Sequence, residues 1–329
     1  MNILSTSHLP HFPIAKSLLS KDNQNTKKRT IDECSQQESP ALSSENIDLS
    51  ACPVKVVIET KRHNIYCLDT PNGLKALKTT NENNPTIQNN SLDNELKIGS
   101  DIAFHAFRKS YAITSYQNKK ALILEWANGE PLSDIQKLPI PRFLKVAREI
   151  VSCLLAMHCN KKCHLNLTCD HIILDAESKT VKIIGCGSSS SFCNKQRHCP
   201  KLLEKDLRYI SPEQSGRVNR DVDYRSDFYS LGVIFYRILA GFHPFESLNE
   251  MKIVRMNLFQ NPLPLYEVDP SIPLPISSMV SKLMEKDADL RYKSAKGIMH
   301  DIDLVILEYK LRNDIILAQH DIPEIPLLP

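Results

Sequence analysis

Tyr209-Ile210-Ser211-Pro212-Glu213, then Asp227-Phe228-Tyr229-Ser230-Leu231-Gly232-Val233, then Gly241-Phe242-His243-Pro244-Phe245, is the stretch that decides the fold. From Asp227 to Leu239 the sequence is almost wholly apolar. A helix that is apolar on every side belongs inside a large core, so this one is the expected spine of a helical region. On its N-terminal side, Pro141 to Cys159 places Phe143, Val146, Ile150, Val151, Leu154, Leu155 and Met157 at helical spacing. On its C-terminal side, Ile276 to Met284 and Ser294 to Leu311 read as two amphipathic helices.

Nearer the N-terminus the pattern changes. Val54 to Ile58, Asn64 to Leu68, Leu74 to Lys78, Ser110 to Gln117 and Lys120 to Trp126 are short β-branched or alternating runs between polar turns, expected to be antiparallel strands. Thr79 to Asn90 reads as a loop, and Ser91 to Ile98 as a short helix carrying Glu95. Residues 1–50 are rich in Ser, Asn, Gln, Lys and Glu, a composition expected to stay disordered. The division is a tail (1–50), a small β lobe (51–128), a larger and mainly helical lobe (129–311) and a proline-rich, linker-like tail (312–329). The class is α+β.

Composition narrows function. Lys and Arg total 41 against 38 Asp and Glu, which gives no electrostatic case for nucleic acid. The longest apolar stretch, Leu231 to Gly241, is broken by Arg237, far short of the roughly 20 residues of a membrane span. With no basic-then-apolar leader after Met1, cytoplasm is the expected location, the nucleus the other option. The ten cysteines lack paired zinc spacing and read as reduced thiols. One concentration, Cys159, Cys163, His164, Cys169 and His171, leaves a metal or redox switch as a minor reading.

Together these segments resemble the protein kinases, and the resemblance implies the two-lobed kinase fold. Ser211-Pro212-Glu213 stands where the family has A-P-E, which implies that Glu213 pairs with Arg291 of Leu290-Arg291-Tyr292 to clamp the activation segment. Asp227 matches the acidic residue that holds the catalytic-loop backbone. Lys75-Ala76-Leu77-Lys78 stands for V-A-I-K, implying that Lys78 meets nucleotide phosphates and pairs with Glu95. His164-Leu165-Asn166-Leu167-Thr168-Cys169-Asp170-His171 aligns on H-R-D-L-x-x-x-N, with His164 retained as a structural residue.

The same alignment puts Asn166 at the catalytic base, His171 at one magnesium ligand and, through Val181-Lys182-Ile183-Ile184-Gly185-Cys186-Gly187, Gly185 at the other. An amide cannot accept the hydroxyl proton, and magnesium prefers oxygen ligands, so no magnesium site is expected. Val54 to Thr70 holds no glycine, so ATP is expected to bind weakly if at all. Cys186 at the family's phenylalanine and the small Gly99 one turn past Glu95 suggest an incomplete packing spine. Leu165 at the arginine position argues against a phosphorylation switch acting through Ser188-Ser189-Ser190-Ser191.

The continuous string from Tyr209 through Gly216-Arg217-Val218-Asn219-Arg220-Asp221-Val222-Asp223-Tyr224-Arg225-Ser226-Asp227 goes further. It resembles the N-terminal kinase-like domain of large fungal stress-sensing hybrid histidine kinases, where an ATPase-like module, a sensor, a histidine-kinase core and a receiver follow. Ile316 to Pro323 is similar to the linker into that ATPase. The resemblance implies a stand-alone relative or the front of a larger protein. Three functions follow: a pseudokinase acting through protein partners in stress or phosphorelay signalling, an active Ser/Thr kinase with non-standard groups, or a redox regulator using the cysteines.

Overall fold

The computed structural model describes residues 27–30, 52–60, 63–80, 85–102, 104–175, 180–191 and 205–308. The rest of the N-terminal tail, the C-terminal tail and the basic run Lys195 to His198 lie outside them. Two compact units emerge, one from Met1–Asn89 with Thr114–Ile123, the other from Asn90–Ile113 with Leu124–Pro329.

The first unit is a twisted antiparallel sheet. Strands β1 (Lys27–Thr30), β2 (Val54–Glu59), β3 (His63–Thr70) and β4 (Gly73–Thr80) lie side by side in that order, and the sheet continues through β6 (Lys119–Glu125) to β5 (Ser110–Tyr116). Alternation sends Leu68, Leu77, Tyr116 and Ala121 to one buried face. Gln117 and Asn118 both have positive φ, 50° and 59°, the two-residue turn that matches strand twist and joins β5 to β6. The five expected strands are all present. The sixth, β1, lies inside the segment read as a tail, where Lys28 pairs with Ile58; its polar sequence has no apolar alternation to signal a strand, and the exposed edge of β2 supplies the backbone partners.

Helix α1 (Pro85–Asp101) starts inside the stretch read as a loop. Proline at a first helical position has no amide to leave unsatisfied, and Pro85 was the available signal. From Asn90 onward α1 belongs to the second unit, whose short strands β7 (Glu130–Pro131), β8 (Lys162–Cys163), β9 (Ile172–Leu174), β10 (Val181–Ile183) and β11 (Ser190–Ser191) form two small sheets, β10-β9-β7 and β11-β8. Its helices are α2 (Ile140–Cys159), α3 (Arg225–Ala240), α4 (Glu250–Phe259), α5 (Leu265–Val268), α6 (Leu274–Leu283) and α7 (Ala295–Glu308).

The core gathers around α3, whose residues from Arg225 through Tyr236 are all buried. Phe235 meets Phe143 of α2 edge to face, with ring centroids 5.1 Å apart. The apolar helix read first in the sequence is therefore the centre of the larger unit. Its N-terminal end supplies the residue around which the functional loops are built.

Candidate functional site

Asp227 sits in the first turn of α3 and is fully buried. Oδ1 accepts from Leu165 N at 2.7 Å, and Oδ2 accepts from His164 N at 2.9 Å and His158 Nε2 at 3.0 Å. Burial alone would raise its pKa; the His158 bond, the two imidazoles and the Leu165 amide bring it below the ordinary carboxylate value instead. One carboxylate thus fixes the loop His164 to His171 to the central helix, as its place at the head of α3 implies.

That loop carries local strain. Leu165 has φ of 58°, a left-handed conformation that costs a non-glycine residue about 1 to 2 kcal/mol. The carboxylate of Asp227 holds its amide, while Gln214 Nε2 at 2.9 Å and Lys205 Nζ both donate to its carbonyl. Gln214 itself is buried and uses Oε1 to take the Ser211 amide at 3.0 Å. The segment that precedes Glu213 is thereby tied to the loop through a neutral amide and a lysine, with no acceptor charge at position 165.

Glu213 and Arg291 form the expected clamp. The guanidinium meets both carboxylate oxygens, at 2.7 and 2.8 Å, with both side chains buried. Arg291 donates further to the carbonyls of Arg225, Glu285 and Lys286, and Glu213 accepts from Ser226 Oγ at 2.6 Å. Burial would raise the Glu213 pKa, but the Arg291 charge and these bonds hold it down at about 2. A second lattice stands beside it: Arg225 grips Asp223 and Asp289, and Arg220 grips Asp287 and Asp289. These pairs account for Arg220, Asp223 and Arg225 in the string from Arg217 to Asp227.

His164 donates from Nε2 to the Ile184 carbonyl and accepts the Asn166 amide at Nδ1, a neutral imidazole whose pKa burial lowers. His171 Nδ1 donates to the Asn166 carbonyl at 2.6 Å, with the Thr168 hydroxyl 3.1 Å away. A carbonyl can only accept, which places the proton on Nδ1. The His171 ring then fills a specific volume. A Cβ on Gly185 would lie 2.4 Å from His171 Cδ2 and 2.7 Å from Nε2, and Gly185 has φ of 82°. Of the positions aligned with the metal ligands, one is an imidazole and the other has no side chain, with the imidazole standing where that side chain would begin. This set does not fit magnesium, which takes oxygen ligands.

Glu95 faces the same region from α1. Its Oε1 receives Arg108 Nη2 at 3.0 Å, both groups buried, and its backbone carbonyl accepts Ser110 Oγ at 3.1 Å. Arg108 is a partner that sequence reading missed, for no motif marks it. Gly99 permits this close approach: a Cβ there would lie 2.1 Å from Ser110 Oγ. The space beside Gly99 is therefore taken by a serine from β5, and Cys186 is buried. In the first unit, Lys78 is buried on β4, opposite Ile65 of β3. At the facing ends of β2 and β3, Thr60 N donates to His63 O and His63 N to Thr60 Oγ1, so these two amides are already used.

Burial divides the cysteine concentration. Cys163 and Cys169 are buried, which pushes the Cys163 thiol well above its ordinary value and that of Cys169 to about 11, while Cys159 is exposed. A thiol protonated at neutral pH is a poor nucleophile, which weighs against Cys163 and Cys169 as redox groups. Among the described residues no group of three or more His, Cys, Asp or Glu is placed to hold a metal, and no helix is long and apolar enough to cross a membrane.

Residues 64–302 match the family model of the protein kinase domain. Histidine protein kinase 1 of Candida albicans is 34% identical over 147 residues, 42% of this chain and 6% of that protein. A peroxide stress-activated histidine kinase of Schizosaccharomyces pombe is 26% identical over 239 residues, 66% of the chain and 10% of that protein. A probable serine/threonine-protein kinase of Clostridium perfringens is 26% identical over 188 residues, 56% of the chain and 27% of that protein. The matched regions are thus a small part of each relative. With the α+β fold, the Asp227 anchor and the Glu213–Arg291 clamp in place, the chain belongs to the protein kinase family.

Proposed function

We propose that this chain is a signalling pseudokinase, a kinase-fold module that transfers no phosphate and acts by binding protein partners in a stress or phosphorelay pathway. The observation that carries the reading is the His171 ring, 2.4 Å from where a Gly185 side chain would start. The place where a side chain at position 185 would begin is taken by an imidazole. Asn166 compounds the loss, since its amide has no basicity for a substrate hydroxyl. Each defect removes a separate part of the machinery, and transfer depends on positioning and charge neutralisation together. The stress pathway is suggested by the Schizosaccharomyces relative's name alone.

Nucleotide binding is weak and indifferent to magnesium in this reading. Lys78 remains to meet a phosphate, but the Thr60 and His63 amides are bonded to each other's oxygens and no oxygen ligand for the metal is supplied at positions 171 and 185. The test is autophosphorylation and transfer to a generic protein substrate with magnesium or manganese, beside nucleotide titrations with and without metal. No transfer and metal-independent, weak binding are expected. Transfer by the unmodified chain that Lys78→Met abolishes would overturn the proposal.

A second reading, an active Ser/Thr kinase, is favoured by the intact clamp and by the Clostridium relative. Here Asp170 or Asp175 would have to supply the missing carboxylate. Loss of transfer on Asp170→Asn or Asp175→Asn, with the fold retained, would support it.

A further inference from the structure

We infer that Arg108 latches helix α1 in place, so that the position of this helix is set inside the larger unit and not by nucleotide through Lys78. In a working kinase the glutamate on this helix is steadied by the phosphate-binding lysine, which couples helix position to nucleotide. In this chain Glu95 has a second, dedicated cation. Arg108 and Glu95 have side-chain exposures of 6% and 4%, with Nη2 3.0 Å from Oε1. Arg108 Nε is buried with no hydrogen-bond partner among the described residues. A guanidinium so placed is tolerated only because the carboxylate neutralises it, and removing either partner strands a buried charge.

Three further contacts make the latch a unit. Ser110 Oγ holds the Glu95 carbonyl, and Gly99 lets the helix come against Ser110 with no side chain between. The Arg108 amide donates to Ile183 O at 3.1 Å, which ties the latch to β10 and so to the strand leading into Gly185. Immediately before Glu95 on α1, Asn94 Nδ2 donates to Gly187 O at 3.0 Å and to Ser189 O at 2.8 Å. Helix α1, the start of β5 and residues 183–189 therefore move together or not at all. The consequence is a helix α1 whose position does not depend on nucleotide. The inference stands apart from the question of catalysis, since a chain that did transfer phosphate would carry the same latch.

The experiment is hydrogen–deuterium exchange by mass spectrometry on the full chain, reading peptides that cover 91–101 and 183–191, without nucleotide and with ATP. Arg108→Gln should raise exchange in both regions on the order of 100-fold, as expected for local opening when a buried pair is broken. Lys78→Met, and ATP itself, should leave both regions unchanged. Equal loosening by Lys78→Met, or α1 still protected in Arg108→Gln, overturns the inference. If Arg108→Gln fails to fold, the neutral pair Glu95→Gln with Arg108→Gln decides: recovery of folded protein with α1 protected is expected, and no recovery counts against the latch.

Discussion

Replacing Gly185 by aspartate, the change that formally restores a metal-binding carboxylate, should damage this protein unless His171 is changed with it. The new Cβ would start 2.4 Å from His171 Cδ2, so the ring has to retreat by about 1 Å to reach ordinary contact. It cannot do so freely, because Nδ1 is held at 2.6 Å from the Asn166 carbonyl. Forced overpacking costs about 1 to 3 kcal/mol, and a non-glycine residue at φ of 82° adds about 1 kcal/mol, less for aspartate than for most. The expected loss is therefore about 2 to 4 kcal/mol, or roughly 5 to 15 °C in melting temperature for a domain of this size. His171→Asn removes the ring and shortens the side chain, which relieves the overlap but not the backbone term. In a double-mutant cycle followed by thermal and urea unfolding, Gly185→Asp should cost about 1 to 3 kcal/mol less in the His171→Asn background. Gly185→Ala should show the same dependence on His171, since the clash begins at Cβ. Losses that simply add would refute the argument that the imidazole fills the carboxylate's place.

Arg291→Ala should lower the melting temperature by roughly 10 °C, because breaking a buried bidentate pair costs about 3 to 5 kcal/mol and three backbone carbonyls lose their donor as well; an unchanged melting curve would exclude the clamp. Glu213, held at about 2, contributes about 3 kcal/mol that is fully present above its unfolded pKa near 4.5 and is lost as pH falls toward 2. Urea midpoints measured from pH 6 down to pH 2 should show this acid-side loss, and Glu213→Gln should flatten it; an equal acid slope in the variant would assign the effect elsewhere. Asn166→Asp should bring no phosphate transfer in a radiolabel assay, since the metal positions remain as they are; measurable transfer by that single change would mean the base was the sole defect.

Legibility followed the range of the interactions. The apolar helix from Asp227 and the β-branched runs from Val54 announced themselves, since burial of a helix or one sheet face is written in local periodicity. Glu213 with Arg291, and Asp227 with the loop at His164, were placed correctly only through the resemblance. Nothing in their spacing predicts a 2.7 Å contact between residues so far apart in the chain. Helix α4 was not read although Asn249 caps it, accepting from the amides of Met251 and Lys252; its weakly amphipathic sequence hid it. Arg108 could not have been found as the partner of Glu95, since a buried ion pair across two elements has no sequence period. The contact of His171 with Gly185 was equally invisible: alignment shows two losses side by side, and only coordinates show that one residue occupies the other's space.

That last contact changes how the losses relate. Three independent substitutions could each be reversed alone, and the chain would stand three steps from a working site. Here the absence of a side chain at Gly185 is what admits the imidazole, and the imidazole's bond to the Asn166 carbonyl ties the two ends of the loop together. The groups that hold the loops, Asp227, Glu213, Arg291 and His164, are all buried and all partnered. At the reacting positions, Asn166, His171 and Gly185 are half-buried and bonded to one another or packed together. In the pseudokinase reading proposed above, the site has exchanged a space that would receive metal and phosphate for a self-contained packing arrangement, which suits a module valued for its shape.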